Sequence, residues 1–183
     1  MPIPSRFATS HPMNRRRFLA TATGLALAAL TPSAWALDKG LTPLETPTPA
    51  PALRLQDLQG KTIDLAQYRG RVVLVNFWAT WCPPCRKEFP SLGRVRKLFK
   101  PEEFEVLAVN VDEDRATALA FAGSPGFPIL LDTNSKATMS WPLKGLPTSF
   151  IVDPQGRLAF SLAGEQEFDG PEVVKAIRGL LQP

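Results

Sequence analysis

Trp81-Cys82-Pro83-Pro84-Cys85 contains both cysteines of the 183-residue chain. Two thiols at this spacing can exchange between dithiol and disulfide. The apolar run Val72–Ala79 comes just before them, and a helix is predicted to follow from about Pro84 to Leu98, with Leu92, Val95, Leu98 and Phe99 recurring at helical spacing. Cys82 then falls at the helix N-terminus, where unpaired backbone N–H groups and the helix dipole favour a thiolate. Cys85 falls on the same helical face, close enough to close a disulfide with little backbone movement.

The elements that must position this pair follow from the apolar pattern. Val72–Ala79 is nearly continuous in apolar, β-branched and aromatic residues, as expected of a strand buried on both faces. Phe104–Val111 predicts a second buried strand, with Asp112-Glu113-Asp114 at the start of a helix continuing through Ala116–Ala122. Ile129–Leu131 predicts a short strand and Ser135–Trp141 a short helix. Ser149–Val152 and Leu158–Ala163 flank an Asp153-Pro154-Gln155-Gly156 turn, and Pro171–Leu181 closes the chain with an amphipathic helix. Ahead of these, Leu53–Leu58 and Lys61–Leu65 bracket Gln59-Gly60 as an N-terminal β-hairpin. Pro90 lies inside the helix after Cys82 and should kink it. Alternating strands and helices followed by a hairpin and a helix give an α/β fold with a central mixed β-sheet flanked by helices.

The first 36 residues read as a leader. Arg15-Arg16-Arg17-Phe18-Leu19 precedes the apolar stretch 20–30, which is followed by Pro32-Ser33-Ala34-Trp35-Ala36. A basic start, a short apolar run and a small-x-small end make a cleavable signal peptide, and the paired arginines resemble its twin-arginine subclass. A retained membrane anchor is the other reading, against which the apolar stretch is short. Met13 offers a second start. Residues 37–52, with Pro43, Pro47, Pro49 and Pro51, read as an extended Pro-rich linker or disordered terminus, leaving 53–183 as the folded domain.

Cleavage near Ala36 changes what the composition allows. The leader carries four of the 21 basic residues and no acids, so 17 basic face 17 acidic residues afterwards, and no charge excess calls for nucleic acid. The one histidine, His11, leaves with the leader. Without it a Ser-His or Cys-His mechanism is excluded, and two cysteines alone make a poor metal site. No cofactor is expected beyond a redox-active Cys82–Cys85 disulfide.

The run Asn76-Phe77-Trp78-Ala79-Thr80-Trp81-Cys82-Pro83-Pro84-Cys85-Arg86-Lys87-Glu88-Phe89-Pro90 resembles the TlpA/ResA branch of the thioredoxin family. Leu146-Pro147-Thr148-Ser149-Phe150-Ile151-Val152-Asp153 resembles that family's second signature. The resemblance implies a thioredoxin-like fold and thiol–disulfide oxidoreductase activity. It makes Cys82 the attacking thiol, Cys85 the resolving thiol and Pro147 a cis-proline, with Trp81, Pro83, Pro84 and Leu146 meeting the substrate.

Glu88 matches an acid of this branch that manages protons, and its apolar neighbours Phe89 and Pro90 could raise its pKa. Thioredoxin carries a buried Asp where this chain has Asn76, which cannot titrate. Trp78 and Trp141 read as core. The partners implied are a disulfide-bearing exported client protein and a membrane thiol donor of the DsbD/CcdA type, in the periplasm. The client would belong to cytochrome c maturation or copper-site assembly. Two other readings stay open: a DsbA-like oxidant, for which the separation of 34 positions between Asp112 and Leu146 leaves little room for a helical insert, and a Cu(I) carrier using both soft thiolates.

Overall fold

The computed structural model describes residues 40–182 of the chain. The leader expected over residues 1–36 lies outside them. In chain order the elements are β1 (Leu41–Pro49), β2 (Arg54–Asp57), β3 (Thr62–Asp64), β4 (Val72–Trp78), α1 (Pro83–Arg96), β5 (Phe104–Val111), α2 (Arg115–Ala122), β6 (Ile129–Asp132), α3 (Lys136–Ser140), β7 (Thr148–Val152), β8 (Arg157–Ala163) and α4 (Pro171–Leu180). A 3-10 turn over Leu65–Tyr68 follows β3.

The strands form one sheet in the order β1-β8-β7-β4-β5-β6-β2-β3. β4, β5 and β6 run parallel, while β7 and β8 return antiparallel beside β4. The N-terminal hairpin β2–β3 joins the sheet through β6. This is a thioredoxin-like fold, a central mixed sheet flanked by helices. Between Asp112 and Leu146 the chain holds only α2, β6 and α3, with no inserted helical domain.

Every residue of β4 is buried, so its side chains alternate between two cores. Val72, Leu74 and Trp78 pack with Cys85, Phe89, Leu92 and Val95 of α1, and with Phe168, Val173 and Ile177 near and on α4. Val73, Val75 and Phe77 face the other way, onto Ala137 and Trp141 around α3 and onto Phe150. Asn76 is even-numbered, so it points to the α1 side.

The linker expectation needs correcting over part of its length. Leu41–Pro49 is strand β1, paired antiparallel with β8 from Leu41↔Leu162 to Pro49↔Arg157, with an irregularity between Pro43 and Thr48. Proline lacks the N–H that an interior strand must donate, so a proline-rich strand can lie only at a sheet edge, and β1 is the outermost strand. Leu41 and Leu44, three apart, anchor it on opposite faces of the sheet.

The β7–β8 turn closes as expected on Gly156, whose φ of +74° suits glycine. α1 runs through Pro90, which is exposed.

Trp78 is fully buried against Phe89 at 4.7 Å and Phe121 at 5.3 Å between ring centroids, which ties β4 to α1 and α2. Its indole Nε1 has no hydrogen-bond partner. Trp78→Ala should therefore cost about 3–5 kcal/mol through the cavity it leaves. Trp78→Phe should cost clearly less, because it also removes an orphaned donor. Urea unfolding of both variants measures the difference.

Candidate active site

β4 delivers the chain to the site and α1 carries it away. The residues between them turn sharply, with the Cys82 N–H donating to the Ala79 carbonyl at 3.2 Å. Cys82 is the N-cap of α1, in extended conformation. Its Sγ accepts from the Cys85 N–H at 3.4 Å. Pro83 and Pro84 occupy the first helical positions, where a missing N–H is harmless. No acidic residue stands in the first turn to oppose a thiolate there.

Cys82 and Cys85 are joined as a disulfide with Cα atoms 5.3 Å apart. Both are buried, at 4% and 0% exposure. Around them Trp81 is 66% exposed, Pro83 is exposed and Pro84 is half-buried. Arg86 and Lys87 are exposed on α1, and the Arg86 guanidinium lies over the Phe121 ring, 5.6 Å from its centroid.

Glu88 lies one helical turn beyond Cys85 and is buried, at 1% exposure. Both of its oxygens accept hydrogen bonds. Asn76 Nδ2 donates to Oε1 at 2.8 Å, and the Gln166 N–H donates to Oε2 at 3.0 Å. Asn76 Nδ2 also donates to Ser149 Oγ at 2.8 Å, and Asn76 and Ser149 stand opposite each other in the β4–β7 register. Ser91, one turn further along α1, accepts from the Phe168 N–H at 3.2 Å and so holds the same loop. Burial pushes the Glu88 carboxyl up to about 8. The bonds from Asn76 and Gln166 oppose that rise, and the charge of Glu165 adds to it.

The Leu146–Pro147 peptide is cis. Thr148 pairs with Phe77, so Leu146 and Pro147 sit at the end of the sheet where β4 hands over to Cys82. Leu146 is half-buried, Pro147 is buried, and the Gly164 N–H donates to the Pro147 carbonyl at 3.0 Å.

The sequence reading missed part of this arrangement. Gln166 contributes a backbone N–H, which no side-chain pattern can advertise. Ser149 is legible only once β7 is placed beside β4. The acids Asp112-Glu113-Asp114 do not act together at a helix start. Asp114 alone caps α2, accepting from the Thr117 N–H at 2.8 Å. Asp112 takes a left-handed backbone with φ of +56°, and Glu113 turns inward and is buried.

Comparison with known proteins agrees with this geometry. The Redoxin family profile matches residues 46–177. Thiol-disulfide oxidoreductase ResA of Bacillus subtilis (strain 168) is 34% identical over 158 residues, covering 83% of this chain and 88% of the relative. ResA of Geobacillus kaustophilus (strain HTA426) is 37% identical over 117 residues, covering 63% and 67%. Among solved structures, a thioredoxin-family thiol:disulfide interchange protein from Chlorobium tepidum TLS superposes with a TM-score of 0.64 at 29% identity, covering 72% of this chain and 97% of that one. A second Chlorobium tepidum protein, provisionally assigned as thiol:disulfide interchange protein DsbE, gives a TM-score of 0.69 at 30% identity, covering 76% and 99%. With the cysteine pair at a helix N-terminus, the buried carboxyl behind it and the cis-proline at the sheet end, the chain belongs to the Redoxin family, as a TlpA/ResA-like thiol–disulfide oxidoreductase of thioredoxin fold.

Proposed function

We propose that the protein is a periplasmic reductant of cysteines in exported client proteins, of the kind used in cytochrome c maturation or copper-site assembly. The observation that carries the reading is a disulfide at the N-terminus of α1 with a buried carboxyl one turn behind it. In the reduced protein the Cys82 thiolate attacks one sulfur of a client disulfide. A Cys82–client S–S bond forms, the client S–S bond breaks, and the released client thiolate takes up a proton. Cys85 gives up its proton and attacks Cys82 Sγ. The Cys82–Cys85 disulfide forms, the Cys82–client S–S bond breaks, and the expelled client thiolate takes up a proton as its second thiol. Two electrons pass from the dithiol to the client. A membrane dithiol donor of the DsbD/CcdA type returns them.

Glu88 supports the proton movement. With a pKa of about 8 its carboxyl is largely protonated at neutral pH, so it can give or take a proton beside the thiols. Trp81, exposed beside the buried Cys82, with Pro83, Pro84, Leu146 and Pro147, offers the client its docking surface. Export through the twin-arginine route would bring the protein to such clients. Measuring the reduction potential and Cu(I) affinity of one preparation tests the reading against an oxidant and a copper carrier.

Cys82→Ser should abolish reduction of a model disulfide, since no nucleophile remains. Cys85→Ser should attack once and stall as a mixed disulfide, visible by mass spectrometry and releasable with dithiothreitol. Equal alkylation of both thiols at mildly acidic pH would contradict these roles.

The Glu88 carboxyl also links folding to pH. Below its ordinary value of 4.5 it is neutral whether folded or unfolded. Between 4.5 and about 8 the unfolded chain releases the proton while the folded chain keeps it, so stability falls as pH rises. Above that range both forms are ionised and the penalty is constant. Glu88→Gln should remove this slope, so the stability difference from the wild type shifts in favour of the variant from about pH 5 to 8 in urea unfolding of the oxidised proteins. In the reduced proteins the same substitution should lower at least one thiol pKa, read from thiolate absorbance. Superimposable curves would reduce Glu88 to an ordinary buried residue.

Substituting lysine for both Arg15 and Arg16 should strand the precursor in the cytoplasm. Unchanged export, measured by fractionation, would exclude the twin-arginine route.

A further inference from the structure

The turn that presents Trp81 is held from the side by a carboxylate outside the Cys82–Cys85–Glu88 group. Trp78, the last residue of β4, stands opposite Asn110 in β5. β5 ends one residue later, and Asp112 adopts a left-handed conformation. That conformation turns the chain so that Glu113 points back toward the end of β4. Its side chain is buried, at 9% exposure. Glu113 Oε2 accepts from the Thr80 N–H at 2.8 Å and from Asn110 Nδ2 at 2.5 Å, and Oε1 accepts from the Thr80 hydroxyl. Both carboxylate oxygens therefore grip one residue of the Ala79–Cys82 turn through its backbone and its side chain. Trp81, the next residue, is 66% exposed and leaves its indole to solvent.

We propose that Glu113 is a positioning residue: its two-point hold on Thr80 fixes the turn in which Trp81 is presented to the client peptide. A buried carboxylate needs such donors, and here the donors belong to the segment the client meets. The inner end of the turn is already fixed by the Cys82 N–H bond to Ala79, so the clamp acts on the outward part. Its loss should weaken client binding and spare the thiol chemistry. This inference rests on the reading of Trp81 as a docking residue.

The test is single-turnover reduction of a peptide carrying an intramolecular Cys-x-x-Cys disulfide, mixed with excess reduced protein variants at several concentrations. Glu113→Ala and Thr80→Val should each raise the half-saturating concentration, about tenfold for Glu113→Ala, with the maximal rate within about twofold. Thr80→Ser, which keeps the hydroxyl, should stay near wild type. Alkylation of Cys82 by iodoacetamide, which needs no docking surface, should be unchanged in all three. Thr80→Val keeps the proposal testable should Glu113→Ala fail to fold. Wild-type half-saturation in both Thr80→Val and Glu113→Ala would overturn it, and so would iodoacetamide reactivity that falls in parallel with docking. Trp81→Ala separates the two readings. Unchanged half-saturation there removes the docking role and the clamp's purpose with it. A rise in Trp81→Ala unmatched in the other variants overturns the clamp alone.

Discussion

A carboxyl sealed between a sheet and a helix is the constraint on which the rest of this structure depends. An ionised Glu88 at 1% exposure would be costly, and the chain meets that cost from two directions. Burial favours the neutral acid. Asn76 and the Gln166 N–H keep both oxygens hydrogen-bonded, so the charged form is also tolerated. The group is thereby balanced between two protonation states, as proton transfer near neutral pH requires. An aspartate at position 76 would set two buried carboxyls against each other. An asparagine supplies donors and no charge. Its Nδ2 serves Glu88 and Ser149 together, while its Oδ1 has no partner among the described residues.

The alternation of a buried strand makes this possible. On β4 the even positions face α1 and the odd positions face α3. A single strand can therefore aim Asn76 at the site while Phe77, its neighbour, packs at 5.4 Å from Trp141 and 6.3 Å from Phe150 on the opposite side. The apolar cluster on the α3 side contains neither cysteine nor Glu88. It holds β4, β5 and β7 in register, and register decides that Asn76 meets Ser149 and Trp78 meets Asn110. A slip of one residue would turn Asn76 away from Glu88.

What the sequence made legible follows the range of the interactions. β4, β5 and the helix after Cys82 were readable because their apolar periodicity is local and strong. The cysteine pair was readable because two thiols three positions apart at a strand–helix junction have little other use. Pro-rich residues 41–49 misled, since proline argues against interior sheet and leaves the edge open, and only β8 shows that an edge is there to be filled. Glu113 misled in another way. Three consecutive acids after a strand look like one helix start, yet each has a different fate, decided by the left-handed turn at Asp112. Gln166 was beyond reach, because its contribution is a main-chain N–H brought 78 positions along the chain to Glu88.

That separation has a consequence for how the site arises. The disulfide and the N-terminus of α1 are products of a short stretch and could form early. The environment that tunes them is not local. It needs β7 for Ser149, the loop after β8 for Gln166 and the β5–α2 turn for Glu113. A partly folded chain would hold the same two cysteines with Glu88 in water, at its ordinary pKa, and Trp81 on an unsupported turn. Such a chain would hold the cysteine pair without the buried carboxyl behind it and without the braced turn beside it. The reactive pair is thus written in five consecutive residues, while control over it belongs to the completed sheet.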